Sequence, residues 1–178
     1  MDWFNEPSQW SEKDGQITVR ADARTDFWRI TDYGYVRDNG HIYGEAITTD
    51  FDFAVRVEAD YADQYDQAGV AIRVDESHWL KTGVELYEGK LRFSTVITVD
   101  HSNWVIADLP EHFRTLNLHL TRRDDVVHIG YSVDDATPEM ASVVYLEPGV
   151  SAFVGLLCAA PEGDGFDARF SDLAITRL

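Results

Sequence analysis

Four side chains in "YDQAGVAIRVDESHWLKTGVEL" (65–86) could do chemistry together: Gln67, Trp79, Lys81 and Glu85. Side chains two or four apart on a strand share a face, so Trp79, Lys81 and Glu85 point the same way. A ring, an ammonium, a carboxylate and an amide suit a ligand with an apolar side and several hydroxyls, because the ring stacks while the polar groups hydrogen-bond. The plainer alternatives are a surface charge ladder of Lys81 and Glu85 with Arg92, and a Trp79 packed on a neighbouring loop.

Other chemistries fit less well. Glycoside hydrolysis needs two carboxylates about 5–5.5 Å or about 6.5–9.5 Å apart. The run "EADYAD" (58–63) leaves the end of its strand and reads as chance. Asp66 with Glu85 is another pair, but Lys81 is expected to hold Glu85 ionised and so unfit as a general acid. A Lys–Glu pair could instead abstract a proton or epimerise a sugar. Asp100, His101 and Ser102 are adjacent and cannot form a triad among themselves, and no nucleophile elbow is present. The six histidines show no zinc spacing. "DNGH" (38–41) and the Asp pairs at 124–125 and 134–135 could meet calcium, but no full ligand series appears and such clusters more often make turns. Cys158, in "FVGLLCAAP", reads as an inert buried thiol.

The elements that must position these residues are strands. "FDFAVRVEA" buries Phe51, Phe53, Val55 and Val57 and leaves Asp52, Arg56 and Glu58 on the other face. The same period of two runs through 68–74, 80–86, 91–99, 116–120 and 127–133. Further strands are expected at 17–23, 27–31, 41–47, 142–147, 152–158 and 166–177. No helical period of useful length appears, and 109–116 is expected to hold at most a short turn. Many short strands between turn signals mean a β-sandwich or barrel. A tight turn at Glu88-Gly89 would set Leu86 opposite Leu91, Glu85 opposite Arg92, Lys81 opposite Val96 and Trp79 opposite Thr98. Gln67, Gly69, Ala71 and Arg73 then join the same polar face. The small residues Gly69, Ala71 and Gly83 are expected to leave room above the sheet, forming a groove. His119 would reach that groove if its strand lies in the same sheet.

The bulk numbers bound the partners. The chain has 178 residues and a formal net charge of −17. That suits one domain over 1–178 and argues against nucleic acid or an anionic membrane surface. A lone cysteine and no signal-peptide pattern at "MDWFNEPSQW" point to the cytoplasm.

Several islands carry a family resemblance: "DFWR" (26–29), "GHIY" (40–43), "YDQAGV" (65–70), "HWLKTGVE" (78–85), "VITVDHSNW" (96–104) and "VGLLCAAPEGDGF" (154–166). Together they resemble the family of unknown function that includes the fungal regulation-of-enolase protein, over nearly the whole chain. That family is similar to concanavalin A-like lectins and glucanases, which implies an all-β, two-sheet antiparallel jelly-roll β-sandwich. The resemblance maps Asp66, Gln67, Trp79, Lys81, Glu85, Ser102 and Trp104 onto the family's motif positions. It implies a fold and no reaction.

The expectation is a non-catalytic module that binds a small, carbohydrate-like ligand on the concave sheet face, without a cofactor or metal. Its site is Gln67, Trp79, Lys81 and Glu85, with Asp66, Thr98, Trp104, Trp28, Arg29 and His41. The alternatives are a glycosidase or epimerase-like enzyme using Glu85, Lys81 and Asp66, and a regulatory domain acting on a metabolic enzyme as its protein partner. If the face is functional, Lys81→Ala and Glu85→Ala are expected to leave the melting temperature nearly unchanged, whereas a large drop for both would make the pair structural and count against the site.

Overall fold

The computed structural model describes residues 1–134 and 136–178; Asp135, in one of the Asp pairs weighed above for calcium, lies outside the described residues. In chain order the strands are β1 (Asp2–Phe4), β2 (Gln9–Lys13), β3 (Gln16–Arg20), β4 (Phe27–Arg29), β5 (Val36–Asp38), β6 (His41–Ile47), β7 (Phe51–Ala59) and β8 (Gln67–Arg73). There follow β9 (His78–Tyr87), β10 (Lys90–Val99), β11 (His101–Asp108), β12 (Leu116–Arg123), β13 (Val126–Val133), β14 (Glu139–Tyr145), β15 (Ala152–Ala159) and β16 (Asp167–Arg177).

Two seven-stranded antiparallel sheets form a jelly-roll sandwich, with no helix among the described residues. The first sheet runs β1-β6-β15-β8-β9-β10-β11 and the second β14-β13-β12-β7-β16-β3-β2. The alternating apolar sets meet between them: Val70, Ile72, Leu80, Val84 and Phe93 from the first sheet pack against Phe53, Val55, Leu116, Leu118 and Ile129 from the second. The β9–β10 hairpin closes on Glu88-Gly89, both at positive φ (50° and 73°), as a two-residue turn of matching twist requires. Its register is the expected one, with Leu86 opposite Leu91, Glu85 opposite Arg92, Lys81 opposite Val96 and Trp79 opposite Thr98.

Strands β1, β2 and β5 are not among those expected from the period of two, and three further differences from the sequence reading bear on the site. Residues 101–108 form a full strand, β11, which pairs along β10 and carries Trp104 into the first sheet. Residues 109–115 run as irregular chain instead of a helical turn. The outer face of the first sheet is not an open groove. The short β4–β5 hairpin and Phe4 lie across it, and Phe27 and Trp28 build a second apolar cluster there with Ile42, Ala71, Trp79, Val96 and Leu157. The glycines serve strand approach: a Cβ on Gly69 would lie 2.0 Å from the Thr82 carbonyl oxygen of the neighbouring strand.

Candidate binding site

The site begins with Asp26, the residue before β4. Asn39 and Gly40 donate their N–H groups to its carbonyl, which ties the base of the hairpin together. That fixes its carboxylate over the first sheet. Oδ1 accepts from Lys81 Nζ at 2.9 Å, Gln67 Nε2 at 3.3 Å and its neighbour's backbone, Phe27 N, at 2.8 Å. Lys81 and Asp26 are 4% and 6% exposed, so this is a buried ion pair held by neutral donors as well. Gln67 also donates to the Tyr65 carbonyl, and the register sets Gln67 directly opposite Glu85.

Glu85 is 5% exposed and accepts from Trp104 Nε1 at 3.0 Å; the same N–H lies 3.0 Å from Ser94 Oγ. Burial pushes the Glu85 carboxyl above the ordinary range, and nearby Asp26 pushes the same way. Lys81 and the Ser94 and Trp104 hydrogen bonds pull against that without reversing it. Lys81 gives its hydrogen bond to Asp26 and not to Glu85, and at the Glu85 carboxyl its attraction is outweighed by desolvation. The charge ladder is also absent, because Arg92 pairs with Asp108 on β11.

Above this polar floor stand aromatic walls. Trp28, Tyr33, Tyr35, Tyr65 and Trp104 line a pocket with Asp26, Gln67, Lys81 and Glu85 at its base. Trp28 meets Trp104 edge-on at 6.4 Å, and Trp104 meets Tyr87 the same way at 4.9 Å. Tyr33 and Tyr35 stack on each other at 5.6 Å at the exposed hairpin tip, and the Tyr33 and Tyr65 hydroxyls are 3.0 Å apart. The volume is about 20 Å3, room for a single water-sized group, and the exposed Tyr33 and Tyr35 stand on its solvent side.

Of the ten residues picked from the sequence, the fold gathers Gln67, Lys81, Glu85, Trp28 and Trp104 at this pocket. The other five lie elsewhere. Trp79 is buried under Phe27, 5.9 Å between ring centres, with Lys81 Nζ 6.0 Å from its ring; the loop-packing alternative describes it. Thr98 bonds Ser102 Oγ at 2.8 Å, and Ser102 accepts the Arg29 N–H, so this pair pins β4 to the sheet. The Arg29 guanidinium does not line the pocket, and its buried Nε has no partner among the described residues. His41 bridges Asn5 O through Nδ1 and the Asp22 N–H through Nε2, locking the N-terminal segment. Asp66 turns away and caps the 62–66 turn through the Ala62 and Asp63 N–H groups. His119 stands exposed on the second sheet.

The sequence reading missed Asp26, Tyr33, Tyr35 and Tyr65. Asp26 and Tyr65 sit in the "DFWR" and "YDQAG" islands, which was the available signal. Tyr33 and Tyr35 come from a hairpin lying across the sheet, which strand alternation cannot reveal. Cys158 is buried, and burial raises its thiol pKa. Among the described residues no three His, Cys, Asp or Glu side chains gather as a metal would need, and no helix is long and apolar enough to cross a membrane.

A family model described as a protein of unknown function (DUF1349) matches residues 3–178. The chain belongs to this family. It is 34% identical over 174 residues to "Regulation of enolase protein 1" of Saccharomyces cerevisiae, covering 98% of this chain and 88% of that protein. A crystal structure of a functionally unknown S. cerevisiae protein superposes with a TM-score of 0.93 at 34% identity, covering 99% of this chain and 96% of that one. The GH43 protein BlXynB from Bacillus licheniformis superposes at 0.72, with 15% identity over 97% of this chain and 36% of its own. The carbohydrate binding module CBM66 from Bacillus subtilis superposes at 0.58, with 12% identity over 97% and 94%. At those identities the last two show the sandwich fold alone.

Proposed function

We propose that this pocket binds a small polar, carbohydrate-like ligand, with one hydroxyl or hydroxymethyl group on the polar floor and the ring on the tyrosine mouth. The observation that carries the reading is the convergence of four buried polar side chains, Asp26, Gln67, Lys81 and Glu85, at the base of an aromatic-walled pocket. Buried charges are costly to place, and here they are oriented by the hairpin and by each other before any ligand arrives. The narrow base sets the size of the inserted group. The mouth supplies flat apolar faces for C–H groups of a sugar or polyol.

Isothermal titration against hexoses, pentoses, polyols and sugar phosphates tests this. A saturable heat is expected for at least one class. Tyr35→Ala weakens it about tenfold, the loss of one stacking partner. It leaves the melting temperature unchanged, because Tyr35 is exposed. No saturable heat across the panel, or equal affinity in the variant, overturns the reading. Trp79→Ala is a poor test, since it empties the cluster beneath the hairpin.

A second reading rests on the carboxylates. Asp26 is ion-paired with Lys81, and burial pushes the Glu85 carboxyl upward, the direction a general acid needs. A carbohydrate-active enzyme would then use Glu85, with Asp26 in the place first given to Asp66. Proton NMR of a bound sugar in deuterated buffer decides: exchange or conversion lost in Glu85→Gln supports it, and an unchanged ligand leaves a binder. A pocket that senses a metabolite also suits a regulatory role like the one the yeast relative's name carries.

A further inference from the structure

A second cavity lies far from the polar floor in character. A cleft of about 500 Å3 opens between the two sheets at one end, and its volume falls within the ordinary range of small-molecule sites. One wall is Ile72, Leu80, Ile97 and Val99, on the core-facing side of β8–β10. The other is Val144, Leu146 and Val150, from β14 and the turn after it. Ile72 and Leu80 belong to the main core, so the cleft is a place where the core is open to solvent. Val99 and Tyr145 stand at its rim, 61% and 69% exposed.

This opening is built, because its outer wall is held from inside. Arg122 occupies an inward position of β12, 1% exposed, where the pattern would otherwise set an apolar residue. It donates from Nη1 to the Val150 carbonyl at 3.0 Å and from Nη2 to the Glu147 carbonyl at 2.9 Å. The Leu146 N–H is bonded to the Asp125 carbonyl. A buried guanidinium on two carbonyls keeps the 146–150 turn from collapsing onto Ile72 and Leu80.

The polar side chains lining the cleft are Asp75, His78, Thr98, Tyr145 and Glu147. Burial works against ionisation of Asp75, but the Ser77 and His78 hydrogen bonds outweigh it and hold the carboxyl at about 2. The rim thus has two acidic side chains, Asp75, bonded to His78 Nδ1 at 2.9 Å, and Glu147, on a chain of net charge −17. It repels an anionic head group and accepts a neutral or cationic one.

We propose that the cleft is a second binding site, for a small apolar molecule such as an alkyl chain or fused hydrocarbon ring whose polar end is neutral or cationic. Its body would cover Ile72, Leu80, Ile97 and Val144, and its head would meet Asp75 and Glu147.

The test is fluorescence titration of the full chain with N-phenyl-1-naphthylamine, a neutral apolar probe, followed by displacement below micelle-forming concentrations. Saturable one-to-one enhancement is expected. Decylamine and decanol should displace the probe, and decanoate about tenfold less well, a discrimination of roughly one charge contact. Asp75→Asn with Glu147→Gln should close that gap. Val150→Trp, which fills the cleft, should weaken the probe about tenfold. So should Val99→Lys at the exposed rim, which does not depend on repacking. Tyr35→Ala, at the other pocket, should leave it unchanged. The proposal is overturned by absence of saturation, by affinity unchanged in both Val150→Trp and Val99→Lys, or by decanoate equal to decylamine. A dimer in sedimentation velocity that Val99→Lys dissolves also overturns it, since a second copy would then be the occupant.

Discussion

The outer faces of the two sheets share a period-two pattern and have opposite fates. On the second sheet, Arg56, Asn117 and His119 face solvent, and Arg56 reaches Asn117 at 3.1 Å and Asp172 at 3.5 Å in an open ion pair. On the first sheet, Lys81 and Glu85 occupy equivalent outward positions but lie beneath the β4–β5 hairpin. The difference lies in the neighbours: outward positions on the first sheet include Ala71, Trp79, Val96 and Leu157, which give a covering hairpin something to pack on. A charge on a solvated strand face and a charge on a covered one have the same spacing, and only the second can form a preorganised site.

That contrast predicts its own largest effect. Lys81→Met leaves Asp26 buried and unpaired, and breaking such a pair costs about 3–5 kcal/mol. For a chain of this length that lowers the melting temperature by about 6–20 °C. Arg56→Met removes a solvent-exposed pair and should change stability by no more than about 1 kcal/mol. Adding Asp26→Asn to Lys81→Met should recover part of the loss. Calorimetry of the three variants checks this. Equal small shifts for Lys81→Met and Arg56→Met would mean the first sheet's face is open after all, as the sequence alone suggested.

How much of this was legible follows from what alternation can carry. The central strands, their inward sets and the Glu88-Gly89 register follow from period two plus one turn, because a one-residue slip would expose Val84 and Phe93, whereas β1, β2, β5 and β11 do not show in that period. Gln67, Lys81 and Glu85 share a face for the same reason. What covers that face is a long-range fact. Residues 26 and 81 meet only because the hairpin folds back over the sheet, and nothing local to "TDYGY" says so. The hint was compositional: "FVGLLCA" and "AGVAI" are apolar on both faces, which marks strands buried on both sides. Taking Trp79 for an exposed platform overlooked that hint.

The next effect separates burial from charge attraction at Glu85. Its folded pKa is raised above the ordinary 4.5, first by burial. Below that value both folded and unfolded states hold the proton, and stability is fully present. As pH rises, the unfolded state ionises first, so the folded state loses stability until pH passes its own higher pKa. Glu85→Gln removes this while keeping an acceptor for Trp104. The stability difference, Gln minus Glu, should be flat below about pH 4.5, grow above it and then level off. Denaturant titrations across pH measure it, and the variant comparison cancels carboxylates of opposite sign such as Asp60 and Asp134. A difference that shrinks with pH would mean Lys81 outweighs burial.

The smallest effect concerns the mouth. The hairpin tip holds Ile30 at φ 66° and Asp32 at φ 64°, and a β-branched residue in that region is strained. The tip is drawn down where the Tyr33 and Tyr65 hydroxyls meet. Tyr33→Phe removes that exposed bond, worth about 1 kcal/mol or less, so the melting temperature should barely move. Local opening should change more. Trp28 Nε1 donates to the Thr31 carbonyl within the tip at 2.8 Å, whereas Trp104 Nε1 bonds to groups of the sheet. Indole hydrogen exchange followed by NMR should therefore quicken at Trp28 and hold steady at Trp104. Faster exchange at both would place the loosening in the sheet, and no change at either would mean the tip is held by its tyrosine stacking, with the mouth fixed at its present width.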